Sequence, residues 1–190
     1  MKTTIENHII LIMWDIMGKS DIKEGDKAPL FKLDSYNKGT IDLAELIGKQ
    51  KIVLIFSRYF GCPVCLVDLN ELMNRVSEIE EKGAMLLYIT QSGEKIAKEY
   101  IEKKRISLPV IPSSKDDLYA EYGLGLMTAG ALTQIRGKLK EAKKLGIEHG
   151  EYEGWEKQGP GQFVIDKEGT IIHAQKGWLD IDSILEVLYE

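Results

Sequence analysis

Lys51-Ile52-Val53-Leu54-Ile55-Phe56-Ser57-Arg58-Tyr59-Phe60-Gly61-Cys62-Pro63-Val64-Cys65 is the stretch that decides the fold. After one lysine it runs apolar to Phe56, the composition of a strand buried on both faces. Beyond it, Leu66, Leu69, Leu72, Met73, Val76 and Ile79 recur at helical spacing. The chain's only two cysteines stand where strand gives way to helix. Cys62 falls at the N-cap and Pro63 at the first helical position, where a missing N–H leaves nothing unsatisfied. The free N–H groups and the positive end of the helix dipole face the Cys62 sulfur and favour thiolate, the reactive form. Cys65 lies one turn on, close enough to close a small disulfide. This is the layout of a two-electron thiol switch.

Other chemistries need more than the chain offers. A Cys-x-x-Cys pair can be half of a zinc site, but zinc takes four ligands. No second pair exists, and His8, His149 and His173 are scattered. Two chains could still share their pairs around a metal or an iron–sulfur cluster. Free cysteines are often inert core residues; a strand-to-helix turn is instead where reactive ones sit.

At 190 residues, 44% hydrophobic and 29% charged, the chain suits one soluble domain with a sizeable core. A net charge of −5 gives no drive toward nucleic acid or anionic lipid. The one basic cluster, Arg136, Lys138, Lys140, Lys143 and Lys144, reads as a solvated helix face, with a docking patch for a redox partner as the other option. Two cysteines are too few to staple a secreted domain. The apolar stretch His8–Met17 is too short to span a bilayer, Asp15 interrupts it, and it lacks the flanks of a signal peptide. A cytoplasmic protein with no membrane span and no cofactor is expected.

Residues 1–22 read as an N-terminal appendage, its apolar stretch packing on the domain or on a second copy. Residues 23–190 read as one α/β domain with a central mixed sheet flanked by helices. A hairpin over Phe31–Asp34 and Thr40–Leu43 opens it. Strands over 52–57 and 84–90, helices from Pro63 to about Glu81 and from Glu94 to about Arg105, and an extended 108–112 follow. Ser114 is expected to cap a helix ending before Gly123. Residues 125–158 form a helical and loop insertion, with a helix from about Thr128 to Lys144. Strands over 162–166 and 170–175 and a helix over 180–188 close the chain.

With these elements in place the chain resembles the thioredoxin-fold redoxin superfamily, in its peroxiredoxin-like AhpC/TSA branch. Four segments carry the resemblance: Gly25-Asp26-Lys27-Ala28-Pro29-Leu30-Phe31, Phe56 to Cys65, Leu118-Tyr119-Ala120-Glu121-Tyr122-Gly123, and Gly159 to Ile171. It implies a thioredoxin-like fold and thiol-dependent redox chemistry. A typical peroxiredoxin places a proline seven residues before its peroxidatic cysteine, a threonine or serine three before, and an arginine at the closing strand. Aligned without gaps, Cys65 takes the peroxidatic position, Arg58 the proline's, Cys62 the threonine's and Pro160 the arginine's. Thioredoxin-type reductases have a nucleophilic cysteine at the threonine position and a cis proline at the arginine position, beside which a substrate disulfide docks.

The resemblance therefore implies a disulfide reductase in which Cys62 attacks, Cys65 resolves and a cis Pro160 leaves a docking edge. Pro160 has a plainer reading as a strand-start proline. Arg58 either steadies the thiolate or is a surface charge. Asp68 is expected to serve the helix dipole rather than to take the Cys65 proton, and His173 is given no role. Substrates would be protein or small-molecule disulfides, with peroxide under the alternative peroxidase reading. The reductant would be external, such as thioredoxin or glutathione. A homodimer fits the resemblance, and so does a non-enzymatic binding module on the same fold.

Overall fold

The computed structural model describes residues 21–114 and 116–189; the apolar stretch His8–Met17 lies outside them. A small antiparallel hairpin comes first, strands β1 (Lys32–Ser35) and β2 (Gly39–Asp42), followed by the one-turn helix α1 (Leu43–Leu46). Next come β3 (Lys51–Phe56), α2 (Pro63–Glu81), β4 (Ala84–Thr90), α3 (Glu94–Lys104), β5 (Val110–Pro112) and α4 (Leu118–Glu121). Helix α5 (Ala129–Lys144), strands β6 (Gly161–Ile165) and β7 (Ile171–Gln175), and α6 (Ile181–Tyr189) complete the order.

The main sheet runs β5-β4-β3-β6-β7. β3 pairs parallel to β4 and antiparallel to β6, so it is the central strand of a mixed sheet. That position explains its composition: both faces are covered. Val53 and Ile55 point into a cluster with Leu66, Leu69 and Leu72 of α2 and Ile184 and Leu188 of α6. Ile52, Leu54 and Phe56 point the other way, against Leu43, Tyr119, Tyr122 and Phe163. Alternation along the strand thus feeds two cores. α2 stops where Gly83 takes φ 71°, a left-handed value that suits glycine. This is the thioredoxin-like architecture, with the hairpin as an N-terminal extension.

Two local expectations are corrected. α1 takes up Leu43, read from sequence as strand; Asp42 caps it by accepting from the Ala44 amide. The helix expected from Ser114 begins only at Leu118, because the Ser114 hydroxyl donates to Asp117 while Ser113 Oγ accepts from the Leu118 amide. The expected α5 is observed, capped by Thr128.

Candidate active site

Strand β3 ends one residue before Ser57, and the loop from Ser57 to Gly61 delivers Cys62 to the start of α2. Cys62 is the N-cap, in extended conformation at φ −80° and ψ 117°. Its Sγ accepts from the Cys65 amide at 3.4 Å and from Arg58 Nη2 at 2.9 Å. The second contact answers the question left open for Arg58: its guanidinium lies on the thiol. It is not a free surface charge.

The two sulfurs occupy different electrostatic environments. Hydrogen bonding from Cys65 brings Cys62 down to a pKa of about 6; burial opposes this, and the Arg58 cation and the Cys65 amide assist it. Burial pushes Cys65 the other way, well above its ordinary value, and its bond to the Cys62 sulfur adds to the rise. Cys62 is therefore the more acidic thiol, as expected of an N-cap cysteine. It is not the more exposed: Cys62 is 1% exposed and Cys65 2%.

Around the pair, Tyr59, Val64, Ala131 and Trp178 form a small apolar cluster. Trp178 donates from Nε1 to the Ala131 carbonyl at 2.9 Å, tying the β7–α6 connection to the start of α5. The Arg58 guanidinium carbon lies 5.4 Å from the Tyr59 ring centre and 5.7 Å from that of Trp178.

Asp68 differs from the sequence reading. It lies beyond the first turn of α2, where no acidic residue stands. Its carboxylate is buried, ion-paired with Lys138 of α5, and accepts from the Leu179 amide at 3.1 Å. Burial raises it to a pKa of about 7 against the pull of Lys138, and the charge of Cys65 adds to the rise. Lys138 is correspondingly turned inward from a cluster read as a solvated helix face or a docking patch. The signal for this pair was weak: Asp68 sits between the buried Val67 and Leu69.

Pro160 lies beside the site. It lines a cavity of about 10 Å³ with Ser57, Asp68, Gln162 and Trp178. Its peptide bond is trans, as are all those among the described residues, which corrects the cis expectation. Gly159 before it is fixed by its own amide, which donates to the Gly125 carbonyl at 2.8 Å, and the chain enters β6 with the ordinary, slightly favoured isomer. His173 is half-buried with Nε2 within 3.2 Å of Gln162 Nε2 and 3.4 Å of Ser183 Oγ, a structural position.

Sequence reasoning missed what lies over the loop that carries Cys62. Residues 147–158 lie across the loop that carries Cys62. Arg58 Nη1 donates to the Glu156 carbonyl at 2.8 Å, and the Gly150 amide to the Gly61 carbonyl at 2.8 Å. Gly61 is required by this crossing, because a Cβ there would overlap the Glu151 carbonyl. Such main-chain contacts have no side-chain pattern from which they could be foreseen.

Comparisons with known proteins agree with this fold. Thiol-disulfide oxidoreductase ResA of Bacillus subtilis (strain 168) is 24% identical over 125 residues, 64% of this chain and 68% of the relative. Among solved structures, peroxidoxin BcpB from Mycobacterium tuberculosis superposes with a TM-score of 0.67 at 17% identity, covering 89% of this chain and 97% of that one. A candidate thiol:disulfide interchange protein, DsbE from Chlorobium tepidum, gives 0.61 at 18%, covering 88% and 99%. At these identities the two structures speak for the fold. The AhpC/TSA family profile matches residues 24–174, most of the sequence, and the chain belongs to that family.

Proposed function

We propose that the protein is a thiol–disulfide oxidoreductase that cycles Cys62 and Cys65 between dithiol and disulfide. One observation carries the reading: Cys62 at the helix start with the Arg58 guanidinium 2.9 Å from its sulfur, and Cys65 buried one turn behind. Cys62 thiolate attacks one sulfur of a substrate disulfide; a Cys62–substrate disulfide forms and the other half leaves as thiolate. Cys65 then gives up its proton and attacks Cys62 Sγ, releasing the second half as thiolate. Asp68, one turn on and held near neutrality, suits the role of proton acceptor, directly or through the small cavity it lines. The Cys62–Cys65 disulfide is reduced again by an external thiol such as thioredoxin or glutathione, which takes up the oxidation. Pro160 flanks the site and would border the docked substrate.

The same reading places the protein in the cytoplasm, where the pair stays reducible; among the described residues no helix is long and apolar enough to cross a membrane. Pairing of two copies is compatible with it.

A thiol-dependent peroxidase is the second reading, favoured by the Arg58 cation on a deeply buried thiolate. Cys62 would take one peroxide oxygen to become sulfenic acid, releasing alcohol or water, and Cys65 would condense with it, releasing water. Stopped-flow oxidation of the reduced protein by hydrogen peroxide, run beside reduction of insulin disulfides, separates the two. Disulfide reduction is expected to be the faster; peroxide consumption at the rate of dedicated peroxidases would reverse the ranking. Serine at both cysteines abolishes either activity, whereas a binding module would keep its effect.

A further inference from the structure

The segment over the Cys62 loop is held by polar anchors at intervals along its length. Besides the bonds to Arg58 and Gly61, the Glu153 carboxylate accepts from Ser92 Oγ at 2.6 Å and from the Gly93 amide at 2.8 Å. Gly93 is the N-cap of α3, and its own amide is satisfied by Glu153 from 60 residues away, which sets a carboxylate at the positive end of the helix. Gln91 Oε1 accepts from the Trp155 amide at 2.7 Å. Ser92 in turn accepts from the Phe60 amide at 2.8 Å, so the anchor reaches back into the active-site loop.

At the near end the ring of His149 lies on that of Tyr152, 4.0 Å between centres, and its Nε2 stands 3.3 Å from the Tyr59 hydroxyl. Tyr59 itself packs on Cys62. Apart from its single bridge at Gln158, the segment has no strand pairing or helix of its own. Ile147 packs on the core at one end, and at the other the Met127 amide donates to the Lys157 carbonyl at 3.0 Å and Gln158 Nε2 to the Leu124 and Gly125 carbonyls. Between these fixed ends the segment is held by the polar anchors named, a unit able to open while the sheet and α2 stay intact.

Attack on a disulfide needs an approach along the S–S axis of the substrate, with the leaving group on the far side. A Cys62 that is 1% exposed, packed among Tyr59, Ala131 and Trp178 with residues 147–158 bonded across its loop, offers no such line to a polypeptide. We propose that residues 147–158 are a strap, latched by Glu153, that sets which disulfides reach Cys62 by their size. A protein disulfide is admitted only when the latch on Ser92 and Gly93 opens, while compact molecules enter with a smaller displacement. The proposal rests on the functional reading above, because it assigns the segment a part in that reaction.

The test reads access without turnover. In a Cys65→Ser background, Cys62 is alkylated with iodoacetamide and, separately, with a maleimide carried on a long polymer chain. Each rate is divided by that of the same protein unfolded in denaturant and corrected for the thiolate fraction. The bulky reagent is expected to be slowed at least tenfold more than the small one. Glu153→Ala should restore at least tenfold of the bulky rate and change the iodoacetamide rate less than twofold. Gly150→Ala, whose Cβ would stand 3.0 Å from Gly61 Cα, wedges the strap away by another route and should act in the same direction if Glu153→Ala fails to fold. Amide exchange at Gly150 and Trp155 should quicken in either variant while that of β3 stays slow. Equal slowing of the two reagents in the parent, or equal acceleration of both in the variants, would overturn the strap as a size filter. Labelling as expected, with no turnover of any disulfide, would instead overturn the functional reading and leave the strap standing.

Discussion

Arg58→Met isolates the strongest electrostatic statement made by the site. Methionine keeps much of the bulk and removes the cation that sits 2.9 Å from Cys62 Sγ. A hydrogen bond to a charged group contributes about 1.5–3 kcal/mol, and 1.36 kcal/mol corresponds to one pKa unit. The variant should therefore raise the Cys62 pKa by roughly one to two units, from about 6 toward neutrality or just above. It should not restore the ordinary thiol value, because the larger influence, the bond from Cys65, is untouched. At pH 7 the thiolate fraction would fall from about nine-tenths to about a quarter. The reduced form loses the same stabilisation, so the dithiol pair becomes more reducing by roughly 30–60 mV.

The assay must report the pKa itself and not a single rate. Arg58 also donates to the Glu156 carbonyl, so its loss loosens the cover over Cys62 and could speed alkylation by access alone. Titrating the ultraviolet absorbance of the thiolate, with the pH profile of iodoacetamide labelling beside it, separates the two effects. A pKa that moves by less than about 0.3 units would refute the reasoning and leave Arg58 as an anchor for residues 147–158. Preferential labelling of Cys65 in the parent would refute it more deeply, since the roles of the two sulfurs would be exchanged.

Asp68→Asn tests the buried carboxyl in two ways. A group raised from 3.8 to about 7 favours the folded state least when ionised, so its contribution is most favourable below about pH 4 and is lost as pH rises through 7. That span amounts to roughly 4 kcal/mol, and denaturant melts of the asparagine variant should show a correspondingly flatter stability between pH 4 and 7. The same variant should slow the resolving step, and mixed disulfide should accumulate in quenched samples; an unchanged second step would remove Asp68 from the proton path. Pro160→Thr should lower insulin-disulfide reduction roughly tenfold while leaving the Cys62 pKa in place, and wild-type turnover in that variant would remove Pro160 from the docking edge.

The parts of this molecule that were legible in its sequence are those specified by near neighbours in the chain. β3 announces itself because a central strand is apolar without interruption, and α2 because Leu66, Leu69 and Leu72 return to one face. The Cys62 N-cap follows from Pro63 alone. α1 was hidden because four residues, Leu43–Leu46, are too few to show a helical period. The Asp68–Lys138 pair was hidden for another reason: its partners are 70 residues apart, and each looks like an ordinary surface charge until α5 is laid against α2. Each polar anchor of residues 147–158 except the Ser92–Glu153 and Tyr59–His149 contacts has a backbone group at one end, among them those of Gly61, Gly93, Trp155 and Glu156, which every sequence possesses. A hydrogen bond to a main-chain atom leaves its mark only as glycine at the crossing, and Gly61 was that mark.

The ungapped register with a typical peroxiredoxin puts Cys65 in the attacking position, whereas the proposed reaction gives that part to Cys62 on electrostatic grounds. A sulfur attacks as thiolate, so the nucleophile is whichever cysteine the site ionises more easily. Cys65 is one turn inside α2, packed among Tyr59, Val64, Ala131 and Trp178, where burial disfavours charge. Cys62 is also buried, but it stands at the helix end with an amide, a thiol and a guanidinium all donating toward it. Unequal donors and the heavier desolvation of Cys65 separate the two sulfurs, and each reinforces the other's state: the Cys65 thiol is the leading donor toward an ionised Cys62. Once Cys62 enters a mixed disulfide its charge is gone, the restraint on Cys65 relaxes, and the resolving thiol becomes easier to ionise at the step that needs it. In the proposed reaction the coupling between the sulfurs would set the order of the two attacks, with Arg58 reinforcing the first and Asp68 one turn from the second.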